Sequence, residues 1–394
     1  MSREVEVDRP VSRPMDVDAI REREFPWAAR GDSIYLNNGS TGPIPTRTSA
    51  AIAGFAACRA EPFRLTEEVQ FDTLSRSREL CARLIGARPT EIALMVNTTY
   101  GINLAARALP FGPGDVVVTS DREFPANIYP WMALESRGVT LRRVPCVDGL
   151  PDEDAIVRAL DDPRVKALTI SWVAFATGYR VDLARLGAAC RERGIWFVVD
   201  AIQGVGAATL DVSRLPIDIL ACGGQKWLLS PWGSGFVYVR RELVERLEPQ
   251  AVGWLSTAAA EDFERLTDYD LTWLPDARRF EVITLPFQDF AGFNASLELI
   301  LEIGIEAVAS RVTSLVDAVA GWARGRPHVA LVTPADPARR AGIVAVRPRD
   351  VKRTAERLSE ANVSFSVREG AIRLSPHFYN TLDEIETALE AMDA

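Results

Sequence analysis

The sequence predicts an α/β fold: a large domain whose mostly parallel sheet is sandwiched by helices, then a smaller α+β C-terminal domain. Three observations carry this expectation. Residues 195–199 (IWFVV) and 217–221 (IDILA) are nearly continuous apolar runs, which suit strands covered on both faces. Strand patterns alternate with helical patterns as far as about residue 240, the mark of right-handed βαβ units. Past about residue 300, short strands are interleaved with helices. A chain of 394 residues also exceeds what one core usually organises. The expected division is a mobile N-terminal segment at 1–17, an N-terminal arm at 18–35 packing with the small domain, a large domain at 36–300 and a small domain at 301–394.

The elements follow in order. Residues 1–14 are charged and contain proline. A short helix is predicted within 17–29, with Asp16 or Asp18 as its cap. Tyr35 leads into Asn37-Asn38-Gly39-Ser40-Thr41-Gly42-Pro43, a turn in which Gly and Asn supply unusual backbone angles. Helical spacing covers 46–59 and 69–85, and in the second Leu74, Leu80, Cys81 and Leu84 share a face. A strand at 92–96 ends in Asn97-Thr98-Thr99, and a helix runs on to residue 108. Two hydroxyls beside the free amides of a helix start can cradle an anion or cap the helix, and both roles can hold together.

Strands are expected at 115–120, 140–145 and 165–171, with helices at 155–160, capped by Asp152, and at 183–193. Residues 254–273 show little periodicity and are long for a loop, which usually means function or an interface. Helices at 290–301, 305–324, 351–362 and 383–392 and strands at 329–332, 342–346, 363–367 and 371–374 complete the chain.

The chemistry centres on two strand ends. The run 195–199 closes on Asp200, and the next leads into Gly223-Gly224-Gln225-Lys226. Parallel sheets bind ligands at the carboxyl ends of their strands. A lysine among Gly, Trp227, Leu228 and Leu229 can lose its proton near neutral pH and become a nucleophilic amine. An Asp and a Lys so placed suit pyridoxal 5'-phosphate: the Lys forms the Schiff base and the Asp keeps the pyridinium nitrogen protonated. The other reading makes Asp200 a helix cap and Lys226 a surface charge.

The stretch Asp200, Gln203, Lys226 and Gly233-Ser234-Gly235 resembles the cofactor core of fold-type I pyridoxal-phosphate enzymes. Within them it is similar to the class V aminotransferase family, which includes isopenicillin N epimerase-like proteins, cysteine desulfurases and kynureninases. The resemblance extends by motif order from about Tyr35 to the C-terminus. It implies that Thr98 and Thr99 contact the cofactor phosphate, that Phe124 of Glu123-Phe124-Pro125 stacks on the cofactor ring, and that Gln203 and Gln225 also bind the cofactor. It implies that Arg373 forks onto the substrate carboxylate, with Asn38 and Phe175 on the substrate side. The motif Arg279-Phe280-Glu281 implies that the Thr284 hydroxyl reaches the phosphate of a partner subunit, and so a homodimer with shared active sites. Taken without the resemblance, that motif reads as an edge strand with an Arg–Glu pair. Three departures stand out: Phe175 where desulfurases carry Asn, Ile283 where a Gly is usual, and Gln225 where a His often precedes the lysine.

The bulk numbers set bounds. Lys and Arg total 45 against 54 Asp and Glu, a net charge of −9, which argues against nucleic acid as a partner. No run suits a membrane span, and the N-terminus lacks the apolar core of a signal peptide, so a cytoplasmic location is expected. Cys58, Cys81, Cys146, Cys190 and Cys222 form no CxxC pair and read as thiols in a reducing compartment, and no metal is expected. None lies in 362–373, where a desulfurase of this resemblance needs its reactive Cys, so desulfuration by that route is disfavoured. With His328 and His377 the only histidines, acid–base work falls to Lys226 or to bound water. The expected activity is a class V-type aminotransferase acting on an amino-acid or amine substrate. A C–S β-lyase or amino-acid epimerase of the same fold is the alternative, and a non-catalytic binding protein a third reading.

Overall fold

Seven strands form the central sheet, in the order Ile92–Leu94, Gly235–Val239, Ile219–Gly223, Trp196–Asp200, Val165–Ser171, Val116–Ser120 and Thr140–Val144. They belong to a computed structural model that describes residues 15–393 apart from 262, 263, 265, 268 and 283. The segment expected to be mobile therefore falls almost wholly outside the described residues. Gly235–Val239 is antiparallel to both neighbours, and the other adjacent pairs are parallel.

The apolar runs explain why this sheet lies inside. Side chains alternate across a strand, so a strand apolar at every position feeds two cores. Phe197 and Val199 pack in one core while Val198 packs in the other; Val116 and Val118 are likewise separated from Val117. Helices Thr98–Ala108, Glu67–Ile85, Leu183–Glu192 and Phe287–Ile303 supply the covering faces. The parallel arrangement brings the ends Leu94, Ser120, Ser171, Asp200 and Gly223 to one edge, where the loops carrying the predicted site residues emerge.

A second sheet of four antiparallel strands has the order Ser366–Arg368, Ala371–Leu374, Val344–Pro348 and Val329–Leu331. Helices Ile305–Arg324, Val351–Glu360 and Leu382–Asp393 cover it through a third apolar core. Helix Phe287–Ile303 continues past the expected boundary at residue 300, and the chain turns at Gly304. Its φ of 90° is a conformation that favours glycine. The N-terminal arm packs against the elements around this second sheet. Ile34–Tyr35 pairs in parallel with Val363–Ser364, Arg21 donates to Glu384 at 2.8 Å, and Phe25 stacks on Tyr379 with ring centres 4.4 Å apart. No helix among the described residues is long and apolar enough to cross a membrane.

Candidate active site

Asp200 is the last residue of its strand and pairs in register with Ser171 and Ala221. Its carboxylate is buried and, among the described residues, accepts one hydrogen bond, from the Ile202 N–H at 3.1 Å. Burial pushes it up to about 7; the Ile202 bond opposes this, Glu123's charge adds to the rise and Lys226 opposes it. A buried carboxylate bonded only once can accept from a ring N–H.

Lys226 follows the adjacent strand end. Its amine makes no hydrogen bond or ion pair with any described residue, and it stands 5.4 Å from the centre of the Phe124 ring. Burial pulls it down to about 8, partly offset by the Asp200 charge, while Arg373 pushes it lower. Gly42 explains how tightly this lysine is framed. Its N–H donates to Gln225 O at 2.9 Å, and a Cβ built at Gly42 would lie 2.1 Å from Lys226 O. Only glycine lets the turn approach so closely.

Thr98 begins the helix Thr98–Ala108, where Asn97 caps by accepting the Tyr100 N–H at 2.9 Å. The N–H groups of Thr98 and Thr99 have no partner within the helix. Thr98 Oγ1 accepts the Gly223 N–H at 2.9 Å, which ties this helix start to the lysine strand. Thr98 is buried and Thr99 is exposed. A Cβ built at Gly223 would meet Gln225 Oε1 at 2.5 Å and Thr98 Oγ1 at 3.3 Å, so the Gln225 side chain shares this corner.

Phe124 keeps 43% of its surface exposed and meets Phe175 edge-on at 5.3 Å. Its neighbour Glu123 had no role in the expected site. The Glu123 carboxylate accepts from Ser120 Oγ at 3.1 Å, Asn127 Nδ2 at 2.9 Å, and Ser171 N and Oγ at 3.0 and 2.5 Å. It thereby ties two strand ends together beside Asp200 and fixes the loop that presents Phe124. Only its place beside Phe124 could have pointed to it.

Arg373 is 2% exposed and donates to Ser366 Oγ at 3.0 Å, Phe175 O at 2.6 Å and Ser40 Oγ at 2.7 Å. All three partners are neutral, and no carboxylate among the described residues pairs with it. Burial pulls it down to about 10, with Arg368 adding to the fall. Phe175 thus serves Arg373 through its carbonyl, and its ring serves Phe124. Ser40 and Ser366 were not anticipated; polar residues at the turn and hairpin gave no distinguishing signal.

Two expected site residues are engaged by the protein itself. Gln203 was expected to bind the cofactor, but its Nε2 donates to Gly39 O at 2.9 Å and its Oε1 accepts the buried Trp227 N–H at 2.8 Å. Trp227 needs that acceptor, so Gln203 braces the turn against the lysine segment. Asn38 was expected to face substrate. It is fully buried, donating to Ser375 O at 2.9 Å and accepting from Tyr379 at 3.0 Å.

Thr284 is not brought to Lys226 within one chain. It is exposed, accepts the Trp254 N–H at 3.3 Å, and lines a cavity of about 400 Å³ with Phe55, Arg59 and Leu65. The Arg–Glu pairing considered for its motif does not form. Arg279 donates to Leu274 O and Val244 O, both at 2.7 Å, while Glu281 pairs with Arg78 at 2.7 Å. Ile283 lies outside the described residues. His377 is buried and held in one tautomer: Nδ1 accepts the Phe378 N–H at 2.8 Å and Nε2 sits 3.0 Å from Trp227 O. Burial pulls it down to about 4, so the ring is uncharged in neutral solution and keeps its one proton on Nε2.

Comparison with known proteins places this arrangement. The model of the family described as aminotransferase class-V matches residues 34–387. The chain is 32% identical to isopenicillin N epimerase of Streptomyces clavuligerus over 376 residues, covering 92% of this chain and 94% of that protein. It is 31% identical to the uncharacterised aminotransferase YcbU of Bacillus subtilis strain 168 over 320 residues, covering 81% and 82%. The apo cysteine desulfurase of Thermococcus onnurineus NA1 shares the fold, with a TM-score of 0.83, 24% identity and coverage of 95% and 97%.

Proposed function

The chain belongs to the class V aminotransferase family, a family of pyridoxal-phosphate-dependent enzymes, and on that premise we propose that it is an aminotransferase acting on an α-amino acid through Lys226. The observation that carries the reading is Arg373. A guanidinium this deeply buried, bonded only to neutral groups, is costly unless an anion completes it. An α-carboxylate suits it, because the planar fork binds carboxylate in two parallel bonds. It shares the site with the Lys226 amine, which pairs with no described residue and which burial pulls down to about 8.

The residues present fit the cofactor. Asp200 has room for one more donor, Thr98 and Thr99 offer hydroxyls and free amides for a phosphate, and Phe124 offers an open ring face. When bound, pyridoxal phosphate withdraws electrons from the substrate Cα and can keep the amino group for a second substrate. Lys226 would hold it covalently. Asp200 would hold the proton on the ring nitrogen. Arg373 would orient the substrate so that its Cα–H faces Lys226 Nζ, which removes and returns that proton. His377 is locked and neutral, and burial first, then Asp121, pushes the Cys146 thiol up to about 12. One amine therefore serves as both base and acid, as proton return at a second carbon requires in amino transfer.

Epimerisation is the second reading, favoured by the 32% identity to isopenicillin N epimerase. Incubating the purified holoenzyme with single amino acids, with and without a 2-oxo acid acceptor, separates the readings. Amino transfer yields a new 2-oxo acid beyond one equivalent per enzyme site only when the acceptor is present. Loss of optical activity without any 2-oxo acid would replace it with epimerisation, and pyruvate with sulfide would replace it with C–S cleavage.

A homodimer with shared sites is part of this proposal. It is supported by the position of Thr284, exposed and away from Lys226 in one chain, and by exposed large apolar side chains along the same stretch. Tyr269 is 91% exposed and Leu271 69%.

A further inference from the structure

The hairpin Ser366–Arg368 and Ala371–Leu374 presents a second cation to the site. Its register sets Ser366 opposite Arg373 and Arg368 opposite Ala371. Side chains alternate along a strand, so Arg368 points to the same side as Ser366, and cross-strand partners share that side. Ser366 Oγ receives the Arg373 Nε–H at 3.0 Å, which identifies this side as the one holding the carboxylate-binding arginine. The residue facing Arg368 is alanine, which leaves the guanidinium uncovered. Arg368 is exposed where Arg373 is buried, so the two stand at the rim and the floor of one site.

Nothing described neutralises Arg368. Its guanidinium donates to Val367 O at 2.9 Å, and no carboxylate among the described residues pairs with it. The neighbouring Glu369 is engaged elsewhere, with Arg122 at 3.3 Å. Arg368 is also close enough to depress both the Lys226 amine and the Arg373 guanidinium. A positive charge held unpaired beside two other basic groups is repelled by them unless a ligand brings negative charge to it.

We propose that Arg368 is a specificity-determining residue that binds a second anionic group, such as an ω-carboxylate, at the far end of the amino-acid substrate. This rests on the reading that Lys226 and Arg373 hold an α-amino acid. The α-carboxylate goes to the buried arginine, the amine to Lys226, and the side chain runs outward to the rim.

The test compares matched substrates that differ in charge alone: L-glutamate with L-glutamine, and L-aspartate with L-asparagine. Each is titrated into the holoenzyme, and the shift of the cofactor's visible absorption gives an apparent Kd. A hydrogen bond to a charged group predicts that an acid binds about ten- to a hundredfold more tightly than its amide. In Arg368→Gln the acid-to-amide ratio should fall toward one, whereas Arg373→Leu should weaken both members of a pair alike. A ratio near one in the unmodified enzyme, or a ratio that survives Arg368→Gln, overturns the Arg368 assignment and leaves the amino-acid reading standing. If neither member of either pair moves the spectrum, the amino-acid reading fails and the assignment with it.

Discussion

Asp200 and Lys226 sit at adjacent strand ends, and burial moves them toward each other on the pH scale, to about 7 and about 8. Each consequence can be measured. Asp200→Ala should cost turnover about a hundredfold or more, since one preorganised electrostatic partner is lost, while cofactor affinity changes far less because Thr98, Phe124 and Lys226 remain. Turnover equal to the unmodified enzyme would mean another acid holds the ring nitrogen. For the lysine the sign follows from linkage. Its folded pKa lies near 8 against an ordinary 10.5, so between these values the unfolded chain binds more protons. Stability of the cofactor-free protein should rise with pH across that window and be flat, for this group, below about 8. Melting temperatures of the cofactor-free protein and of Lys226→Met, compared from pH 8 to 10, check it: the difference should change in the native protein's favour as pH rises. The placement of Asp200, Thr98 and Arg373 at strand or helix ends, and of Lys226 just past one, was legible in the sequence, because periodicity and turn residues mark those ends. The protein partners of Gln203 and Asn38 were not legible, because an amide's partners depend on what packs beside it, here Trp227 and Tyr379. Glu123 was missed because its four donors converge from Ser120, Asn127 and Ser171, which only the sheet brings together.

At the scale of elements, most strands and helices followed from periodicity, and caps marked their starts. Asp16, Asp152, Asp182 and Asp350 each accept an N–H from the first turn of a helix. The strand Gly235–Val239 was not anticipated, and a buried strand's apolar run does not state its direction. Its antiparallel course turns the chain back immediately after the lysine segment. The turn around Gly42 was legible as a turn, but its contact with Lys226 was not. Gly42→Ala should destabilise the fold by about 1–3 kcal/mol, the usual cost of overpacking, and weaken cofactor retention because the lysine segment must move. Thermal melts and cofactor release rates measure both. Unchanged values would show that the turn yields freely.

At the scale of the molecule, the site as described in one chain holds Lys226, Asp200, Thr98, Phe124 and Arg373 but not Thr284. Shared sites make a specific prediction. Lys226→Ala and Thr284→Arg should each be inactive alone, and mixing them should restore activity. One of the two sites in an exchanged dimer then contains neither lesion. No recovery after demonstrated subunit exchange would reject sharing. Each of these roles depends on Lys226 holding the cofactor. The measurement that addresses it most directly is borohydride reduction of the holoenzyme, followed by peptide mapping of the fixed adduct. One pyridoxyl-modified peptide is expected, with the label on Lys226, and no fixed adduct in Lys226→Ala. A label on another lysine, or an adduct retained in Lys226→Ala, would contradict it.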